Sequence, residues 1–318
     1  MKWKKIGKIF DPTYYELPNN CKEFAQSPQV LVFDNFIRVY FSTRERDQTG
    51  KYLSHIAFAD FDKQFNVIRV SNKPVIELGR LGCFDEHGIF PLNVLRAKGE
   101  IFGYIGGWNR RVSVSVDGSI GLALSHDAGL TFQRIGDGPI LSSSLNEPFL
   151  VGDPFVKVYE GVFHMWYIFG TTWKMYSDGA PPDRIYKIGH AVSQDGIEWE
   201  KHEDGRRIVS DKLNDNESQA LPTEIKIGRR HHILFCFRES SDFRKNKSRG
   251  YKIGHAYSDD LLNWTRDDVN AGIDVTEGAW DSDMLCYPHL FEMDGEVYLM
   301  YNGNEFGRFG FGLAKLDR

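Results

Sequence analysis

Apolar residues in this chain fall into short runs, some alternating with polar residues and some continuous. Gly, Pro, Asn or Asp separate the runs. This pattern predicts strands joined by tight turns, with almost no helix. The runs also repeat. IGLALSHDAGLTFQRI (120–135), IGHAVSQDGIEWEKH (188–202) and IGHAYSDDLLNWTRD (253–267) align closely. Each holds an alternating strand, a Ser-x-Asp turn closed by an aromatic residue, and the start of another strand. HIAFADFDKQFNVIRV (55–70) fits the same frame. The aromatic anchors are then Phe65, Phe132, Trp199 and Trp264, spaced by 67, 67 and 65 residues. The turn residues Ser125/Asp127, Ser193/Asp195 and Ser258/Asp259 are assigned to turn stabilisation, because such side chains bond nearby backbone. His190 and His255 repeat in register within IGHA and are assigned to packing.

A second unit precedes each of these: Pro, a short strand, a turn, then a strongly apolar strand. Its copies are 27–43, 90–107, 153–170, 221–238 and 287–303. Asp34-Asn35, Lys98-Gly99, Glu160-Gly161, Gly228-Arg229 and Asp294-Gly295 stand at the hairpin turns. The whole repeat is four strands in about 64 residues. The fifth copy ends after three. Met1–Ile6 resembles the missing fourth strand, with Trp3 at the anchor position, 62 residues before Phe65. The expected fold is all-β: a five-bladed β-propeller in one domain, 1–318, its ring closed by the N-terminal strand completing the last blade. The blades are placed at about 25–80, 85–142, 147–210, 217–276, and 281–318 with 1–10. Radial closure removes exposed sheet edges.

Composition narrows the function classes. Aromatic residues make up 14% and charged residues 26%, which is globular and not disordered. The net charge of −5 argues against a nucleic-acid or anionic-membrane partner. No stretch is apolar enough to span a bilayer, and no apolar segment follows the basic MKWKKIGKIF. Four scattered cysteines without a CxxC pair predict reduced thiols, a cytoplasmic location and no zinc site. No metal or cofactor is expected, and the oligomeric state is left open.

In a propeller the inner strands line a central channel, and residues just before each repeated Pro gather at one mouth. Blade one offers Gln26 there, and blade two Asp85, Glu86 and His87. Blade three offers Glu147 and Asp153, blade four Glu217 and Glu224, and blade five Asp281 and Asp283. Crowded carboxylates raise one another's pKa and mark functional sites. The second strands end in Arg44, Trp108, Trp173 with Lys174, and Arg238, residue types that stack on sugar faces and bond hydroxyls. Two carboxyl groups flanking a glycosidic bond suffice for its hydrolysis.

The five-blade layout, Val151-Gly152-Asp153-Pro154-Phe155 opening blade three and the Glu opening blade four resemble the five-bladed glycosidases of glycoside hydrolase families 43, 32 and 130. The resemblance to family 43 implies an orienting, pKa-tuning role for Asp153 and the acid role for Glu217, with Glu224 as fallback. The family's blade-one base is replaced here by Gln26, within Ala25-Gln26-Ser27-Pro28. Asp85 and Glu86 are the nearest substitutes. The resemblance to family 130 implies an alternative, a phosphorylase with one acid and a phosphate cradle from Arg44, His87, Lys174 and Arg238. The leading expectation is a glycoside hydrolase acting on a saccharide. A glycosyl transferase of polysaccharide metabolism and a non-catalytic sugar-binding propeller stand behind it.

Overall fold

The computed structural model describes residues 1–177 and 180–317, and its regular structure is almost wholly β. Arg318, included in the last expected blade, lies outside the described residues. Strand β1 (Trp3–Phe10) comes first. It is followed by a unit of β2 (Gln26–Val32), β3 (Ile37–Arg46), β4 (Tyr52–Phe61) and β5 (Val67–Val70). The next unit is β6 (Gly88–Ala97), β7 (Glu100–Arg110), β8 (Val116–Ser125) and β9 (Gln133–Arg134). The third is β10 (Val151–Tyr159), β11 (Val162–Lys174), β12 (Asp183–Ser193) and β13 (Glu200–Lys201). The fourth is β14 (Glu217–Ile227), β15 (Arg230–Glu239), β16 (Lys252–Ser258) and β17 (Thr265–Arg266). The chain ends with β18 (Cys286–Met293), β19 (Glu296–Asn302) and β20 (Phe311–Leu316).

Strands within each unit are antiparallel neighbours. The first two units share one sheet through a single parallel pair, Ser54 beside Gly88. The last three strands form a four-stranded sheet with β1, which pairs with β20 from Trp3 opposite Leu316 to Phe10 opposite Phe311. The inner strands β2, β6, β10, β14 and β18 pack each against the next, and β18 packs against β2. Polar side chains tie them: Asn93 donates to Gln29, Val156 N donates to Asn93, and Leu290 N donates to Thr223.

Lys98-Gly99, Glu160-Gly161 and Asp294-Gly295 adopt positive φ at both positions, the two-residue hairpin geometry. Asp34-Asn35 does not. There a wider turn is closed by Phe33 N donating to Phe36 O at 2.9 Å. Each repeated Pro sits in a β-bulge of its inner strand, where the register with the second strand slips. Pro donates no hydrogen bond, so a bulge is where an inner strand can hold it.

The aromatic anchors pack across units. Phe132 meets Tyr40 at 5.8 Å between ring centroids, Trp199 meets Tyr104 at 5.9 Å, and Trp264 meets Trp166 at 6.3 Å. In each case the partner lies on the second strand of the preceding unit. Phe65 of the first unit meets Tyr298 of the last at 5.2 Å. Trp3 is buried, its indole N–H donating to Ala271 O of the fourth unit at 2.9 Å. The turns carry the expected hydroxyl–carboxylate pairs Ser125–Asp127 and Ser193–Asp195. The third corrects the sequence reading. Ser258 bonds Asp260, which accepts from Leu262 N and Asn263 N, whereas Asp259 points outward to Arg230. Asp260 alone keeps the two-residue spacing of the other turns. His190 and His255 pair with His164 and His232 of the neighbouring strands, consistent with a packing role.

Candidate functional site

A cavity of about 350 Å³ opens where the inner strands meet. The bulges build much of its wall. The residue before each Pro is turned out of the strand's alternation, with positive φ at Ser27, Asp153, Leu221 and Tyr287. Phe90, Asp153, Leu221 and Tyr287 line the cavity, and Gln26 lines it in the first unit. Asp153 is the one ionisable carboxyl among these five bulge positions. It has φ +50°, 7% exposure, and one carboxylate oxygen accepting from Leu221 N at 3.2 Å. Burial pushes its pKa up to about 7, against the Leu221 hydrogen bond and the Arg184 charge that favour ionisation. Asp117 also lines the cavity, held by Arg111 and by the Gly118 N–H at 2.9 Å.

Aromatic rings form another part of the wall. Trp108 packs against Gly88, where any Cβ would overlap its indole. Tyr186 and Tyr251 share a hydroxyl–hydroxyl bond of 2.9 Å. Arg44 and Arg238 enter from the ends of second strands, as their matched positions in two repeats suggested, and Arg184 and Arg244 join them. Gln26 donates to Phe306 O, while its side-chain oxygen is buried without a partner.

Of the sequence candidates, Asp153, Gln26, Arg44, Trp108 and Arg238 come together here. Trp173 lines an adjoining depression that shares Val116, Asp117 and Leu150 with the cavity. The remaining acids do not line it, among the described residues. Asp85 is fully buried and pairs with Arg134. Glu217 is fully buried, 2.6 Å from Arg266, and accepts from Lys212 N, Leu213 N and Gln219. Glu147 pairs with Lys201 at 2.5 Å, and Asp281 with Lys5 at 2.6 Å. In all four the base stands on the unit's fourth strand, two residues after the aromatic anchor. The shared mouth expected for these carboxylates is thus replaced by four separate ion-pair clasps, each directed toward an outer strand.

Glu224 accepts from Tyr159 at 2.6 Å and contacts His231 at 2.8 Å, away from the cavity. Glu86 caps its own loop through Gly82 N. His87 stacks beside Trp108 and accepts from Arg110 N, just outside the lining. Asp283 binds the exposed Lys247. Lys174, offered for a phosphate cradle, instead donates to Asn216 at 2.9 Å.

Sequence reasoning missed Arg184, Tyr186, Arg244, Tyr251 and Asp117. A signal existed for the tyrosines: Tyr-Lys-Ile-Gly-His-Ala occurs at 186 and again at 251. No repeat marks Arg244 or Asp117.

No family model matches the chain. It is 30% identical over 320 residues to the uncharacterized proteins MT1551 and Rv1502 of Mycobacterium tuberculosis strains CDC 1551 and H37Rv, with each protein covered in full. Among solved structures, a complex of BT0996 with RGII superimposes with a TM-score of 0.75 at 18% identity, over 99% of this chain and 91% of that one. A thermostable family-43 glycoside hydrolase gives 0.67 at 14%, over 93% and 89%. A structure from the GH130 family of mannoside phosphorylases, which contains glycoside hydrolases targeting β-1,2 mannosidic linkages in Candida mannan, gives 0.67 at 15%, over 99% and 93%. The chain therefore has the fold of the propeller glycosidases, and it belongs to one family with the mycobacterial proteins MT1551 and Rv1502.

Proposed function

We propose that residues 1–318 form one five-bladed propeller, closed by β1, whose central cavity cleaves a glycosidic bond. The observation that carries this reading is Asp153, a carboxyl lifted from its strand by the Asp-Pro bulge into an aromatic-lined cavity. A carboxyl with a pKa near 7 is protonated often enough at neutral pH to give its proton to a leaving oxygen. Asp153 is assigned the general-acid role. Asp117, held by Arg111, is assigned the second role of activating water or attacking the anomeric carbon. Trp108 offers a flat face to a sugar ring, and Gln26 an acceptor to a hydroxyl. The likeness of fold to the propeller glycosidases supports the same reading.

The buried pairings of Asp85, Glu217, Glu224 and Asp281 favour a structural role for these acids. Proton transfer by a positioned side chain is worth about 10²–10⁴-fold in rate. A screen of aryl glycosides and oligosaccharides should find a substrate whose turnover falls by about that factor in Asp153→Asn. Turnover unchanged in both Asp153→Asn and Asp117→Asn removes the assignment. Sugar binding without any turnover identifies a binding module instead.

A phosphorylase is the second reading. It is favoured by Asp153 being the one cavity carboxylate without a basic partner among the described residues, and its mark is turnover that requires inorganic phosphate.

A further inference from the structure

Four arginines line the cavity: Arg44, Arg184, Arg238 and Arg244. Among the described residues, none has a carboxylate within ion-pair distance. Elsewhere the chain pairs its buried arginines closely, as in Arg38 with Asp60 and Arg266 with Glu217. The exception is costly where it is deepest. Arg238 is only 2% exposed. It donates to Glu239 O at 2.8 Å and to the Tyr186 hydroxyl at 3.0 Å, and its Nε has no partner. The Phe243 ring lies 3.6 Å from the guanidinium carbon. Arg44 is likewise sandwiched, 5.1 Å from the Phe24 centroid and 5.6 Å from Tyr52, with its Nε buried and unpartnered. Arg184 makes one long side-chain hydrogen bond, to Ser115 at 3.4 Å, and its guanidinium carbon lies 6.0 Å from the Tyr186 ring centroid. A buried charge left without an opposite charge is strongly unfavourable, and ring faces compensate only in part.

The acids nearby do not supply that charge. Asp117 is taken by Arg111. Burial pushes the Asp153 pKa up to about 7, so near neutral pH it carries only part of a negative charge, and it forms no ion pair with these arginines. Burial, together with the charges of Arg244 and Arg184, also weakens the hold of Arg44 on its own proton, so these cations act on one another across a common space. The positive potential is local, since the whole chain carries a net −5. Flat guanidinium groups stacked on rings keep their N–H edges free, and those edges match the two oxygens of a carboxylate or phosphate.

We propose that the cavity takes an anionic saccharide, whose carboxylate or phosphate ester is received by Arg44, Arg184 and Arg238. This deepens the glycosidic-bond reading and rests on it. The test is calorimetric titration of the full chain with uronic-acid disaccharides, a sugar phosphate, the neutral parent sugars and inorganic phosphate, at low and high salt. A charge-assisted hydrogen bond contributes enough that the acidic sugars should bind at least about tenfold tighter than their neutral parents. That advantage should shrink with salt. Arg184→Gln, at a half-buried position, should remove most of the advantage of acidic over neutral sugars. Arg238→Lys, checked for an unchanged melting temperature, should reduce the same advantage of acidic over neutral sugars.

Equal affinity for acidic and neutral sugars overturns the inference while leaving the glycosidic-bond reading standing. Tight inorganic phosphate with no preference for acidic sugars also overturns it, and directs the arginines to phosphorolysis. If no saccharide of either kind binds or turns over, the glycosidic-bond reading itself fails.

Discussion

Asp153 shows how one residue becomes distinct inside a repeat. Every inner strand holds Pro in a bulge, and in four of the five the residue before it lines the cavity. Four of the five positions carry Ser, Phe, Leu or Tyr. The fifth carries a carboxyl, and positive φ is tolerated by Asp better than by most residues. Burial then sets its chemistry. Its folded pKa of about 7 stands above the ordinary 3.8, so the native state keeps a proton that the unfolded chain releases. The stability this group contributes is complete below pH 3.8 and is lost as pH rises through about 7. Over that window the loss approaches 1.4 kcal/mol per pH unit as an order-of-magnitude ceiling, ~1.36 kcal/mol being one pKa unit. Urea unfolding of the wild type at pH 5 and pH 8 should show this decline, and Asp153→Asn should flatten it. A decline of equal size in the variant would assign the pH dependence elsewhere. The Asp-Pro motif was readable in the sequence. Its environment was not, because Arg184 reaches it from the third strand of its own unit and Leu221 from the next unit.

At the level of elements, the recurring acids illustrate what a repeat can and cannot tell. Asp85, Glu147, Glu217 and Asp281 stand five to seven residues before their Pro, in the stretch expected to converge. Their partners were visible in the same alignment: Phe132-x-Arg134, Trp199-x-Lys201, Trp264-x-Arg266 and Trp3-x-Lys5. Acid and base repeat together because each clasp fastens the start of an inner strand, or the loop entering it, to the outermost strand of the same unit. The bulge between acid and Pro breaks the simple alternation of faces, so spacing alone did not reveal which carboxyls face inward. Removing one side of a buried pair strands the other charge. Glu217→Gln, which leaves the buried Arg266 with Asp268 as its remaining carboxylate partner, should cost up to about 3 kcal/mol in chemical denaturation. Glu217→Gln combined with Arg266→Met should recover part of that loss. If the single variant is as stable as the wild type, the clasp is not a fastening element.

For the whole molecule, the recurring strand units and the N-terminal strand that joins the last sheet were legible because each unit repeats the same spacing of turns and aromatic anchors. The cavity was less legible, since its arginines and tyrosines come from different units and converge only in three dimensions. The closed-ring proposal concentrates much of the molecule's stability in residues 1–10. There β1 satisfies the open edge of β20, Lys5 neutralises Asp281, and Trp3 packs against the fourth unit. Trp3→Ala, at a site 8% exposed, should cost about 3–5 kcal/mol, the range for a buried Trp. Deleting residues 1–10 goes further, because it leaves a strand with unpaired N–H and C=O groups, a template for association. The truncated chain should melt well below the full chain and form larger species as concentration rises in light scattering. A synthetic peptide of residues 1–10 should reverse both changes, since strand addition to a free edge restores the lost hydrogen bonds. Lys5→Met should melt at an intermediate temperature without associating, because it removes the ion pair and keeps the strand. A truncated chain with the melting temperature and solution size of the full chain would mean that β1 does not close the ring.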